Sequence, residues 1–396
     1  MRRLFYVLLL GLGVICARPH ALWAVPDAWP RALELMAEGR TEAALPLLEE
    51  LVSAHPDDKN YRFELALALF RLEKDFRAKW HLEQVRGARL TAAEAQLVEQ
   101  VLARIAARSV WSASLNIAVR PESNAGQRTS TETVNIGGLD FTLRPDARAE
   151  PGVSLLVSAA LGYTPRINDK WRGRFSLNTH LRYNKDAALR DYQLTARAGL
   201  QHLPDTRSSI SAGVLHGFRW VEDKRYSQTT GIWTEYSRLL GTRGRLDLSL
   251  DLGNVRHEVT LPDSRVALLS ASYSHAVTSN TRLTFAGYYE KTKGNLPNLA
   301  GDRNGILVTG LYAWRGGLMT SLQLGRHTDE RRGPEPLFGL TRRDAKTSLS
   351  LTVYHRDLRL GSFAPTLVMG VEKNRSNIPV ARYDNQYLTI GLTRNF

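Results

Sequence analysis

Ten histidines and one cysteine are the residues best suited to hold a metal or attack a substrate, and their spacing argues for neither. His180, His202, His216, His257, His275, His327 and His355 stand singly, without the close grouping a ligand set needs. No G-x-S-x-G elbow, H-E-x-x-H pair or phosphate-binding glycine loop accompanies them. Each reads as a lumen-wall, girdle or loop residue. Cys16 is the only thiol, and bulky Ile15 before it argues against a lipoprotein signal. A hydrolase dyad assembled across strands remains compatible with the sequence, although no motif asks for one. The expectation is a protein that is not an enzyme and binds no metal or cofactor.

The elements that carry these residues come in three stretches. At the start, Arg2 and Arg3 precede the apolar run from Leu4 to Ile15, then Ala17 and Pro19. A charged segment, an apolar segment and small residues describe a signal peptide over 1–24, with cleavage after Ala17 or Ala24. The run is shorter than the ~20 residues that span a bilayer. Later in the chain no stretch reaches ~18 consecutive apolar residues, which excludes a helical membrane protein but not a barrel. Lys and Arg number 53 against 39 Asp and Glu, a formal charge of +14. That excess suits nucleic acid, anionic lipid or an acidic partner. No nucleic-acid-binding signature is present, so no nucleic acid is expected.

Residues 25–108 read as a small all-α domain in the periplasm. Ala44, Leu47, Leu48 and Leu51 recur at helical spacing, and Pro56 with Asp57 and Asp58 ends one helix and begins another. Ala32 and Ala66, Leu35 and Leu69, Ala44 and Ala78, Leu48 and Leu82, and Leu51 and Val85 are each 34 apart. A 34-residue period with small residues at helix crossings is the tetratricopeptide pattern. The second copy is weaker, because Lys74-Asp75-Phe76 replaces the Gly39-Arg40-Thr41 turn. A third stretch, Ala92 to Ala107, caps the stack with Leu97, Val101 and Ile105 on its apolar face. Such stacks present a concave face to a peptide or protein.

From residue 109 to 396 the period becomes 2. Trp171, Phe175, Leu177, Leu181 and Tyr183 alternate with Arg172, Arg174, Ser176, Asn178, His180 and Arg182. Leu246, Leu248, Leu250 and Leu252 alternate with Asp247, Ser249 and Asp251. A sheet in lipid must close so that every backbone group is paired, with one face toward lipid and one toward the lumen. The segments number about fourteen: 109–119, 153–164, 171–184, 191–203, 208–221, 226–240, 244–258, 265–278, 281–293, 306–315, 317–328, 343–356, 363–374 and 384–396. The fold class is therefore an all-β transmembrane barrel of antiparallel strands, in contact with outer-membrane lipid. Tyr163, Trp171, Tyr183, Tyr192, Trp220, Tyr236 and Tyr289 fall near segment ends, as an interfacial girdle requires. Short connections are expected on the periplasmic side and the long ones (Glu122 to Gly152, Lys293 to Gly305, Asp329 to Arg342) outside. Gly391 and the aromatic Phe396 sit where a barrel-assembly machinery reads the last strand; Arg394 departs from that signal.

After the first strand stands Arg120-Pro121-Glu122-Ser123-Asn124. Near the end stand Phe363-Ala364-Pro365, Asn374-Arg375-Ser376-Asn377 and Gly391-Leu392-Thr393-Arg394-Asn395-Phe396. These segments, behind a repeat module, resemble the Slam family, the surface lipoprotein assembly modifiers. The resemblance implies a translocator that moves surface lipoproteins, or related secreted haem- and metal-acquisition proteins, across the outer membrane. The substrate protein and the barrel-assembly machinery are the implied partners. It singles out Pro121, Ser123, Asn124, Arg375, Ser376 and Asn377 without assigning them a role. The alternatives are an exopolysaccharide export porin, which predicts a longer repeat array, and a passive porin or outer-membrane hydrolase.

Overall fold

The computed structural model describes residues 27–355, 358 and 360–395. The leader at 1–24, with Cys16, and Phe396 lie outside the described residues.

Among the described residues five helices come first: α1 (Ala28–Ala37), α2 (Thr41–Ala54), α3 (Lys59–Arg71), α4 (Asp75–Val85) and α5 (Ala92–Arg108). Each packs on the next. Ala32, Leu35, Ala44, Leu48, Ala66, Leu69, Ala78, Leu82 and Val85 share one buried core, and Leu51 packs against it half-buried. The two turns of the 34-residue period have the same backbone. Gly39 stands at φ 77° and Glu73 at φ 57°. Arg40 N–H donates to the Leu35 carbonyl at 2.9 Å, and Lys74 N–H to Leu69 at 2.8 Å. The second turn therefore keeps its left-handed residue without glycine, at a cost of about 1–2 kcal/mol. Asp58 caps α3 by accepting from Asn60 N–H at 2.7 Å and Tyr61 N–H at 3.2 Å. Thr91 and Glu94 form a capping box on α5. One expected core position is wrong: Leu97 is 44% exposed, and its neighbour Val98 is buried at 1%. Val101 and Ile105 are buried as expected, and Val98 joins them in an i, i+3, i+7 stripe, which leaves Leu97, about 100° round the helix from Val98, toward solvent.

The strands follow: β1 (Trp111–Glu122), β2 (Thr133–Ile136), β3 (Leu139–Thr142), β4 (Gly152–Tyr163), β5 (Trp171–Asn184), β6 (Asp191–His202), β7 (Ser208–Val221) and β8 (Lys224–Leu240). Then come β9 (Gly244–His257), β10 (Ser264–Thr278), β11 (Thr281–Gly294), β12 (Gly301–Ala313), β13 (Leu318–Pro334), β14 (Thr341–His355), β15 (Ala364–Ser376) and β16 (Tyr383–Asn395). All but β2 and β3 form one closed antiparallel barrel of fourteen strands, in which β1 pairs with β16. The alternation becomes a wall. Ile306, Val214 and Ile390 point outward at 64%, 59% and 55% exposure. Arg174, Arg197, Glu235 and Asp251 point inward and join one another.

The structure corrects several boundaries. β12 begins at Gly301 and β13 runs to Pro334, where long links were expected. Strands of 13 and 17 residues exceed the ~9–11 that cross the hydrocarbon. Beyond that depth both faces meet water, so charge on both parities hid the alternation. The long connection after β1 also contains structure, the β2–β3 hairpin. Nor do the ends divide cleanly into short and long links. Glu222 and Asp223 alone join β7 to β8 at the end far from the helices, both with positive φ (56° and 61°).

Candidate functional site

The residues singled out by the Pro121 and Ser376 segments lie at the same end of the barrel, far from the helices, as two groups: one at the β1–β16 seam, the other at the turn after β15. Ser123 N–H donates to the Gln386 carbonyl at 2.8 Å, and Gln386 N–H donates back to Ser123 Oγ at 2.8 Å. Asn124 N–H donates to Asn385 Oδ1 at 3.1 Å. The Asn124 side-chain amide donates to the carbonyls of Arg128 (2.7 Å) and Asp384 (3.1 Å). Pro121 has no N–H, and the β1–β16 register passes from Val119–Ile390 to Glu122–Tyr387 without a pair at 120 or 121. At that lapse a side-chain bond crosses the seam, Arg120 Nε donating to Thr389 Oγ1 at 2.9 Å.

Glu122, which sequence reasoning did not single out, is the centre of this cluster. It is buried at 6% exposure. Arg182 Nη2 lies 2.8 Å from Glu122 Oε1, Ser154 Oγ donates to the same oxygen at 3.2 Å, and Asn385 Nδ2 donates to Oε2 at 3.1 Å. One carboxylate therefore ties β1 to β4, β5 and β16. Its only sequence signal was its even position on β1, inside the Pro-Glu-Ser-Asn segment. The second segment secures the neighbouring turn. Ile378 N–H donates to Ser376 Oγ at 3.1 Å. Asn377 Nδ2 donates to the Thr341 carbonyl at 2.8 Å, and Asn377 Oδ1 accepts from Arg343 N–H at 2.8 Å. Arg375 points outward, away from both groups. The loop after the first segment reaches β15 just before the second: Gln127 Nε2 donates to Glu372 Oε2 at 3.2 Å. Gly391 lies lower in the seam opposite Ala118, and a Cβ there would stand 3.0 Å from that of Ala118. Arg394, the departure from the assembly signal, lies 5.9 Å from the Phe363 ring centroid.

The other end of the lumen receives the helices. A Cβ at Gly87 would lie 2.2 Å from the Thr278 carbonyl oxygen, so only glycine permits this approach. Ser279 Oγ donates to the Asp57 carbonyl at 2.8 Å, and Arg243 to Ala88 at 3.2 Å. Arg282, facing inward from β11, meets Glu83 of α4 at 3.5 Å, and Arg172 donates to the Ala106 carbonyl at 3.0 Å. Between α4, α5 and the strand ends a cavity of about 1790 Å³ remains, which reaches Asn116, Thr366 and Thr393 in the lumen. In the turn at its rim, Asp205 has its carboxyl held below the usual carboxylate range, chiefly by the Arg207 N–H. Trp233, also missed in the sequence, is a lumen residue at 1% exposure whose indole N–H donates to the Val214 carbonyl at 3.0 Å. Its odd position on β8 marks it as inward-facing, but aromatic residues were read as girdle. Among the described residues no group of three or more His, Cys, Asp or Glu is arranged to hold a metal ion.

A closed barrel with an apolar outer face and a polar lumen, carrying a helical module at one end, defines an outer-membrane protein. The family model described as surface lipoprotein assembly modifier matches residues 111–396, and the chain belongs to that family. The matched region starts with β1, so the helices precede it. Among relatives, surface lipoprotein assembly modifier 1 of Haemophilus influenzae is 22% identical over 379 residues, covering 93% of this chain and 77% of that one. The surface lipoprotein assembly modifier of Moraxella catarrhalis is 23% identical, covering 93% of this chain and 72% of that one. Of solved structures, a Pseudomonas aeruginosa FadL homologue aligns at TM-score 0.43 and 9% identity, over 73% of this chain and 90% of that one. The Acinetobacter baumannii channel DcaP aligns at TM-score 0.44 and 5% identity, over 72% of this chain and 96% of that one.

Proposed function

We propose that this protein is a translocator that delivers a lipoprotein across the outer membrane to the cell surface, with its helical module in the periplasm. The observation that carries this reading is the seating of that module across the mouth of a barrel from this family, with a large cavity left between them. A passive pore gains nothing from helices across its mouth, whereas a translocator needs a place where an arriving chain is received. The names of the Haemophilus and Moraxella relatives support a lipoprotein as the cargo. Secreted haem- or metal-binding proteins of related fold are a second cargo class on this reading. Transport calls for no catalytic residue, and the tetratricopeptide-like face supplies peptide contact. A leader over 1–24 and insertion by the barrel-assembly machinery complete the proposal.

The experiment is co-expression with a lipoprotein encoded beside this gene, followed by protease shaving of intact cells. Cargo becomes protease-sensitive only when this protein is present. Cargo that stays shielded with and without it refutes the translocator reading for that pair.

A further inference from the structure

The cavity between the helices and the barrel carries an unbalanced charge. Ten Lys or Arg and five Asp or Glu line it. The five carboxylates are already engaged elsewhere. Glu73 and Asp75 meet Arg108, Glu83 meets Arg282 and Asp169 meets Arg166, none of which lines the cavity. Asp205 accepts from the backbone of its own turn. Four of the cations likewise have carboxylate partners outside the lining, such as Arg77 with Glu49 and Arg86 with Glu99. What remains is one-sided. Arg172 and Arg207 bond only to neutral carbonyls (Ala106 and Gly241), and Lys74, Lys79 and Lys170 have no carboxylate partner among the described residues. Cations on a concave, partly enclosed wall reinforce one another's field and concentrate an anionic ligand.

The wall also has a shape. Phe76, Lys79, Trp80 and Glu83 lie on one face of α4 and line the cavity, while Ala78, Leu82 and Val85 fill the helical core behind. Phe76 is 50% exposed. Lys79 sits between the aromatic rings of Phe76 and Trp80, and Glu83, held by Arg282, follows them, so this face has no continuous apolar wall to take an acyl chain. An extended polypeptide carries both charged and apolar side chains and fits such a mixed face.

From this geometry we infer that the cavity is a binding site for an extended, Asp- and Glu-rich polypeptide segment, seated on the α4 face and held by Lys74, Lys79 and Lys170. This rests on the translocator reading and specifies which part of a cargo chain enters first: an acidic linker or tail.

The test uses the full chain purified in detergent and a fluorescent deca-glutamate peptide, with deca-lysine and a Gly-Ser decamer as controls. Polarisation should report binding of deca-glutamate alone, weakened by salt because exposed charges are screened. Combined Lys74→Glu, Lys79→Glu and Lys170→Glu should weaken it at least tenfold. Lys185→Glu, Lys224→Glu and Lys293→Glu at the far end should leave it unchanged. Heat-modifiable migration checks that both variants fold, and a photo-crosslinker at Phe76 should label the peptide should the triple variant misfold. Equal binding by both variants, or no crosslink at Phe76, overturns the inference. So does capture of phosphatidylglycerol vesicles through the same lysines without peptide binding, which would make the ligand a lipid surface. The shaving assay separates the two claims. Cargo display that survives the triple variant together with lost peptide binding sinks the cargo assignment and leaves the translocator, whereas absent display in the unaltered protein sinks the translocator.

Discussion

The helical module and the barrel have opposite interiors. The module buries Leu48, Leu65, Leu69 and Leu82 completely and keeps its ion pairs, such as Lys59 with Glu94 at 2.6 Å, toward the outside. The barrel shows Leu252, Leu269 and Ile306 on its outside and keeps Arg197 with Asp251, at 2.6 Å, within. The difference follows from solvent. Water drives the module's apolar groups together. In the barrel, lipid accepts the apolar face, and the backbone ladder and strand closure hold the wall. The same substitution therefore has opposite effects in the two regions.

Four measurements can break or sharpen that contrast. Leu69→Ala in the module should have the largest effect, about 2–5 kcal/mol, since it empties a fully buried position. The helical circular-dichroism signal of the full chain should melt earlier while heat-modifiable migration of the barrel persists. Simultaneous loss of both would mean the two regions fold as one unit. Leu252→Arg on the lipid face should cost about 2–4 kcal/mol by urea unfolding in liposomes. Ser249→Arg, inward on the same strand, should cost far less; equal losses would show that the wall is packed like a soluble core.

Glu122→Gln should come next, at about 1.5–3 kcal/mol, because it weakens a charge-assisted bond to Arg182 and keeps the volume. The loss should appear as faster exchange of amides at the far end of the β1–β16 seam. Unaltered exchange there would show that the backbone ladder alone holds the seam. The smallest effect is on pH dependence. The Lys59 hydrogen bond, helped by Thr91 N–H, holds the Glu94 carboxyl below its ordinary value, so Glu94 contributes stability above that value and loses it as pH falls through the folded one. Burial pushes Glu64 up, so its ionised form destabilises the module at neutral pH and that strain is relieved as pH drops. Glu94→Gln should flatten the acid limb of the melting curve, and Glu64→Gln should raise the midpoint at neutral pH only. The reverse pattern would show that the two carboxylates are misassigned.

Much of this molecule was legible in advance, for identifiable reasons. The Leu246–Leu252 alternation survives because each residue meets a single solvent along the whole membrane-spanning length. The 34-residue period survives because the left-handed turn at Gly39 is repeated at Glu73. The extension of β12 and β13 was not legible, because the inward pair Arg303–Asp329 is matched by an outward pair, Asp302–Arg332, so charge occurs on both faces. Leu97 was misplaced because 97, 101, 105 and 98, 101, 105 are both helical spacings, and only packing on the neighbouring helices chose Val98.

The sequence by itself determined the two periods, and with them a helical module ahead of a closed, lipid-facing barrel. It also marked Pro121, Ser123, Asn124, Arg375, Ser376 and Asn377 as distinctive without saying what they do. The tertiary structure alone gave those segments their partners. Residues more than 250 positions apart, such as Ser123 and Gln386, become neighbours only when the first strand meets the last. The same closure buried Glu122 among Arg182, Ser154 and Asn385, and seating Gly87 on Thr278 turned the space below into a cationic chamber. Local pattern reports the solvent each residue faces; barrel closure and docking, which join distant parts of the chain, decide which residues share a site.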